Sequence, residues 1–117
     1  MFKVIIAGGR DFKDYDLLKT KLNKILSNIN TPIVIVSGKA RGADSLGERY
    51  AKEMGYEIAE FPANWDKYGK RAGYIRNEEM AKYAEACVCF WDGKSKGTKH
   101  MIDLTNKHNL KLRVIRY

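Results

Sequence analysis

Five short apolar runs, separated by longer stretches of helical periodicity, constrain this chain more than any other feature. They fall at residues 2–7, 33–36, 56–61, 86–91 and 111–116. Ile33-Val34-Ile35-Val36 is apolar at every position, as suits a strand covered on both faces. Between the runs the spacing turns helical. Tyr15, Leu18, Leu22, Ile25, Leu26 and Ile29 recur every three to four residues, and Asp14 stands where an N-cap belongs. Asn30-Thr31-Pro32 breaks that helix. Further helices are predicted over 44–54, stopped by Gly55, over 74–84 and over 98–108. Residues 62–73 read as a long irregular segment. Strand and helix alternate from end to end, so the expected fold class is α/β. We expect a doubly wound, mostly parallel five-stranded sheet with helices on both faces and right-handed crossovers. No repeat, low-complexity tract or linker divides the 117 residues, which suit one domain over 1–117.

Bulk properties narrow the class. The hydrophobic fraction is 44% and the charged fraction 31%, values typical of a soluble globular chain. No apolar run approaches ~18 residues, so no membrane span or membrane partner is expected. Met1 to Ile6 reads as a strand and not as a signal peptide. Cys87 and Cys89 share one face of a strand, which suits reduced cysteines in a cytoplasmic protein. With His100 and His108 they do not make a metal-ligand pattern, and no metal or cofactor is expected. The net charge of +8 favours anionic partners without selecting one. Many of the lysines, such as Lys19, Lys24, Lys52 and Lys82, fall on helix faces and read as solvated surface.

In a parallel sheet, the loops after the strands emerge on one edge, and ligands bind there, where the strand order reverses. Three of these loops have unusual chemistry. The first is Gly8-Gly9-Arg10-Asp11-Phe12 and the second Ser37-Gly38-Lys39-Ala40-Arg41-Gly42-Ala43-Asp44. The third is Asp92-Gly93-Lys94-Ser95-Lys96-Gly97-Thr98-Lys99. Glycine lets backbone amides approach a phosphate closely, and the first turn of a following helix adds unbonded amides and a favourable dipole. Arg10 and Arg41 can grip phosphate oxygens at two points. Thr98 can bond a phosphate or cap its own helix. Each loop alone can equally be a tight turn; it is the set of three that points to an anion. They fit neither Gly-x-Gly-x-x-Gly nor the P-loop. Asp44 suits an N-cap or an acid. His100 lies near the expected mouth. Trp65 and Tyr68 can stack on a base or pack on the sheet. Arg76 can reach the crevice or pair with Glu79. Trp91 reads chiefly as core.

On these residues the chain resembles a known family. "VIIAGGRDF", "VSGKARGADSLGERYA", "FPANWDKYGKRAGYIRNEEM" and "FWDGKSKGTKHMI" are together similar to a bacterial and phage family of small Rossmann-like proteins of unknown function within the SLOG superfamily. That superfamily includes the Lonely-guy phosphoribohydrolases, which release a base from a nucleoside monophosphate, and DNA-uptake processing proteins. The resemblance places Ser37, Gly38, Arg41, Gly42 and Asp44 on a first glycine motif, and Asp92, Gly93, Gly97 and Thr98 on a second. Where relatives usually carry glycine, this chain has Lys39. Arg76, followed by Asn77 and Met80, resembles the stretch with the Lonely-guy catalytic arginine. The position of that family's catalytic glutamate is Met101 here, and methionine can neither move a proton nor stabilise an oxocarbenium-like centre.

The expectation is a crevice that senses, sequesters or processes a nucleotide-like anionic small molecule. Its candidate residues are Gly8, Gly9, Arg10, Asp11, Ser37, Gly38, Lys39, Arg41, Gly42, Ala43, Asp44, Trp65, Tyr68, Arg76, Asn77, Asp92, Gly93, Ser95, Gly97, Thr98, Lys99 and His100. A second reading is an N-glycosidic hydrolase of nucleoside monophosphates, with Arg76 on phosphate or ribose and Asp44, Glu79 or Asp92 as acid/base. A nucleic-acid binding module ranks third, because no aromatic stripe or helix-turn-helix is evident. Lonely-guy relatives form dimers, which makes a homodimer an implication of the resemblance.

Overall fold

The computed structural model describes residues 1–117. In chain order its elements are β1 (Phe2–Gly8), α1 (Tyr15–Leu26), β2 (Ile33–Ser37), α2 (Ala43–Met54), β3 (Glu57–Glu60), α3 (Trp65–Tyr68), a 3-10 turn (Gly69–Arg71), α4 (Ala72–Tyr83), β4 (Ala86–Trp91), α5 (Lys96–Lys107) and β5 (Lys111–Arg116). The strands form one sheet in the order β3-β2-β1-β4-β5, and every neighbouring pair is parallel. The expected α/β, doubly wound, Rossmann-like architecture is therefore present.

The chain steps outward from β1 to β3, returns across the sheet, and steps outward again from β4 to β5. Crossovers of one hand taken in opposite directions put their helices on opposite faces. Two cores result. Val4, Ile6, Ile35 and Val88 point to the side where Leu18, Leu22, Ala43 and Tyr50 of α1 and α2 pack. Ile5, Ala7, Val36, Cys87 and Cys89 point to the other side, against Met80 and Ala81 of α4 and Met101 and Leu104 of α5. Alternate residues of β1 thus serve alternate cores, as the period of a strand requires. Cys87 and Cys89 are both free and buried, with their sulfurs 3.4 Å apart. No helix is long and apolar enough to cross a membrane.

Several boundaries differ from the sequence reading, each for a local reason. α2 opens at Ala43 with Gly42 as its N-cap, so Asp44 is inside the helix and is not its cap. α5 opens at Lys96, because the Ser95 hydroxyl accepts from the Thr98 amide and makes Ser95, not Thr98, the N-cap. The segment 62–73 is not irregular. The Asn64 side chain accepts from the Lys67 amide and starts α3, which runs through the 3-10 turn into α4. A four-residue helix flanked by glycine is too short to show periodicity. Trp91 is only half-buried: its indole N–H donates to Ser95 O at 3.1 Å, and Arg116 lies over the ring.

Candidate functional site

β1 and β4 are neighbours whose chains leave in opposite directions, which makes the gap beyond their carboxyl ends the switch point of the sheet. Two hollows lie there. The first, of about 400 Å³, is lined by Gly8, Gly9, Arg10 and Asp11 after β1, by Ala40 and Asp44, by Arg76 and Asn77 of α4, and by Asp92, Ser95, Gly97 and Thr98 after β4. Ala7, Met80 and Met101 also line it. The second, of about 360 Å³, is lined by Gly38, Lys39, Arg41, Pro62, Ala63 and Trp65. Arg10, Ala40 and Arg76 line both.

Backbone bonds tie the loops together. The Gly9 amide donates to Phe90 O of β4 at 3.1 Å, and Gly9 O accepts from the amides of Phe12 and Ala43, both at 3.2 Å. The start of α2 is thereby pinned to the loop after β1. Gly42 makes this contact feasible. Its φ is 79°, and a Cβ there would lie 2.7 Å from the Arg10 backbone. On α5, the amides of Lys96 and Gly97 belong to the first turn, where a helix supplies no acceptor; on α2 the same is true of Asp44 and Ser45.

Asp44 and Asn77 line the first hollow beside Arg76, which stands on the wall it shares with the second. Asp44 is 6% exposed, and its Oδ2 accepts from the Ala40 amide at 3.2 Å. Burial pushes its pKa up to about 6, against the pull of that amide and of the Arg76 and Arg10 charges. The Arg76 guanidinium donates through Nη1 to Gly38 O and through Nε to Asn77 Oδ1 at 3.0 Å. These partners are neutral. Burial lowers the Arg76 pKa, the nearby Asp44 charge works against this, and the like charge of Arg10 adds to the lowering. A Cβ on Gly38 would fall 2.8 Å from Arg76 Nη1 and 2.9 Å from Asp44 Oδ2, so only a bare backbone fits between them. Asn77 Nδ2 donates to His100 Nδ1 at 3.2 Å and approaches Gly97 O at 3.5 Å. That bond leaves the proton of a neutral His100 ring on Nε2, and burial lowers the pKa of the ring.

The remaining candidates divide. Asp92 Oδ1 accepts from the Lys94 and Ser95 amides, both at 2.8 Å. These bonds lower its pKa and make it an acceptor rather than an acid. Ser37 is buried and donates to Glu48 at 2.6 Å. Ala43 is buried beneath the loop. Lys39 turns to Glu48 at 2.9 Å and Glu60 at 2.7 Å. Gly93 is covered by Arg116, Lys99 pairs with Asp103 at 3.1 Å, and Tyr68 lines neither hollow. His100 packs against Tyr74 with ring centroids 4.4 Å apart and planes inclined by 50°. Arg76 forms no pair with Glu79, which is exposed. Met101, 1% exposed, lines the floor of the first hollow.

Sequence reasoning missed Ala7, Ala40, Pro62, Ala63, Met80 and Met101 as lining residues, and Tyr117 behind them. The Tyr117 hydroxyl donates to Asp11 Oδ1 at 2.6 Å, and its ring packs on Phe12 at 4.7 Å, bracing the loop after β1. No local signal marks a partner 106 residues away.

Comparison with known proteins agrees with this architecture. DNA processing protein A from Streptococcus pneumoniae superposes with a TM-score of 0.78 at 16% identity, over 100% of this chain and 51% of that one. The corresponding Helicobacter pylori protein gives 0.68 at 20% identity, over 97% of this chain and 64% of that one. The chain thus spans about half to two thirds of these structures, and at such identity the likeness is one of fold. The Gene 61 protein of Mycobacterium phage D29 is 36% identical over 106 residues, 86% of this chain and 85% of that protein. The model of the YspA, cpYpsA-related SLOG family matches residues 2–68, which hold the first two loops and Trp65, while Arg76 and the third loop lie beyond. By the phage relative and the family match together, the chain belongs to the YspA, cpYpsA-related SLOG family.

Proposed function

We propose that this chain binds a nucleotide or nucleotide-derived anion at the carboxyl edge of its sheet. One observation carries the reading. Two guanidiniums, Arg10 and Arg76, stand at the wall shared by both hollows, close to the first turns of α2 and α5. Arg76 is half-buried, donates only to neutral groups and forms no salt bridge, although the Asp44 charge lies nearby, so a bound phosphate would give it a charge-assisted hydrogen bond. Glycine backbones, open amides and a small volume suit a compact phosphorylated ligand better than a continuous strand. Calorimetric titration with AMP, ADP-ribose and linear and cyclic dinucleotides tests this. We expect binding by at least one, weakened about tenfold or more in Arg76→Ala. Silence from all of them at millimolar concentration overturns it.

Asp44 favours a second reading. A buried carboxyl with a pKa of about 6 beside an arginine can hold a proton near neutrality and give it to a departing base as the glycosidic bond breaks; water then adds to the sugar carbon and returns its proton to the carboxylate. Free base released from a nucleoside monophosphate, and lost in both Arg76→Ala and Asp44→Asn, would support hydrolysis. The Helicobacter pylori protein, a single-stranded DNA binder, shares the fold and keeps nucleic acid as a third reading. A gel shift with single-stranded DNA at low salt tests it, and binding there should fall steeply as salt is added.

A further inference from the structure

We infer that the ligand has two ends joined through phosphate: a base stacked on Trp65 in the second hollow and a hydroxyl-bearing sugar in the first. This rests on the cleft being an anion site, as proposed above. The two hollows are not separate pockets. Arg10, Ala40 and Arg76 line both, so the two guanidiniums stand on the partition between them. A phosphate held there has an open volume on each side.

The two sides differ in chemistry. The second hollow has an aromatic wall: Trp65 is 51% exposed, and Pro62 and Ala63 lie beside it. An indole left half in water at the rim of a cationic hollow is a platform for a flat ring. It is also close to the phosphate position. A Cβ on Gly73 would lie 3.5 Å from Trp65 Cη2 and 3.6 Å from Arg76 Nη2, so the indole rim and the guanidinium flank the same backbone position. The first hollow has no aromatic wall. Asp44, Asn77, Asp92 and Thr98 line it over a floor of Met80 and Met101. Carboxylate and amide oxygens accept from sugar hydroxyls, which suits a ribose and not a second base. The ligand class is therefore a nucleoside diphosphate carrying a terminal sugar.

ADP-ribose has this composition, and its halves, AMP and ribose 5-phosphate, are separable probes. Calorimetry on the full chain should show ADP-ribose binding at least about tenfold tighter than either half, equivalent to ~1.4 kcal/mol. Trp65→Ala should weaken ADP-ribose and AMP about tenfold and leave ribose 5-phosphate unchanged, while Trp65→Phe retains most of the affinity. Diadenosine diphosphate, with a second base in place of the terminal ribose, should bind more weakly than ADP-ribose. If the halves bind but ADP-ribose is no tighter, or if Trp65→Ala changes nothing, the two-ended ligand is wrong and the anion site stands. Tighter binding of diadenosine diphosphate overturns the sugar assignment. If none of the four binds but a cyclic dinucleotide does, the two-ended ligand is wrong and the anion site stands; if that too is silent, both fail.

Discussion

At the scale of single residues, Asp44 offers the sharpest test. The unfolded chain titrates a carboxyl near 4, whereas burial holds Asp44 at about 6 in the folded protein. Between those values the folded protein keeps a proton that the unfolded chain has released. Its contribution to stability therefore falls as pH rises from about 4 through 6, and is lost above. Asp44→Asn removes that slope and still accepts from Ala40, so it should be more stable than the parent above pH 7 by about 2 kcal/mol. Urea denaturation at pH 4 and pH 7.5 checks the sign. A bound anion beside Asp44 raises its proton affinity further, so ADP-ribose, whose diphosphate charge is constant in this range, should bind several-fold tighter at pH 5.5 than at pH 8. In Asp44→Asn that dependence should vanish. Lys39 makes the contrasting case. Its φ is 63°, a conformation glycine adopts freely, and its ammonium is engaged by Glu48 and Glu60. Lys39→Gly should leave affinity for inorganic phosphate and ADP-ribose within about twofold, since exposed ion pairs contribute little. A large loss by calorimetry would return Lys39 to the anion site.

At the scale of elements, the site depends on where two helices begin. α2 starts against the loop after β1 because Gly42 has a φ of 79° and no Cβ to meet Arg10. Gly42→Ala combines backbone strain with a steric clash and should cost about 2–4 kcal/mol by urea denaturation. It should also weaken anion binding beyond what stability explains, because Arg10 and the amides of α2 move with that contact. α5 starts at Ser95, whose hydroxyl takes the Thr98 amide while Asp92 shapes the turn before it. Ser95→Ala should cost about 1 kcal/mol, the usual effect of losing a cap. The helices themselves were legible from spacing, and Asp14 caps α1 as its position suggested. Their starts were less so. On sequence grounds Asp44 and Thr98 suit the caps, whereas Gly42 and Ser95 cap these helices, because the Gly42 backbone meets the loop after β1 and the Ser95 hydroxyl takes the Thr98 amide. α3 was invisible because four residues carry no period.

At the scale of the whole molecule, binding must show in stability, since a ligand that selects the folded state stabilises it by mass action. ADP-ribose at a hundredfold over its Kd should contribute ~2.7 kcal/mol, which raises the Tm by about 10 °C in a chain of 117 residues. The same concentration should do far less with Arg76→Ala, by differential scanning calorimetry. The sequence by itself determined that β-branched runs become parallel strands, and hence that Gly9, Arg41 and Ser95 share one edge. Periodicity is local, and a parallel sheet sends every post-strand loop the same way. Tertiary structure alone decided which of those loops meet. The order β3-β2-β1-β4-β5 puts the switch point between β1 and β4. It carries Arg76 to Gly38 and Tyr117 to Asp11, across 38 and 106 residues. It also buries Asp44 while turning Lys39 toward Glu48 and Glu60. Such pairings follow from which surfaces the packed elements exclude from water, and no local pattern of residues encodes that.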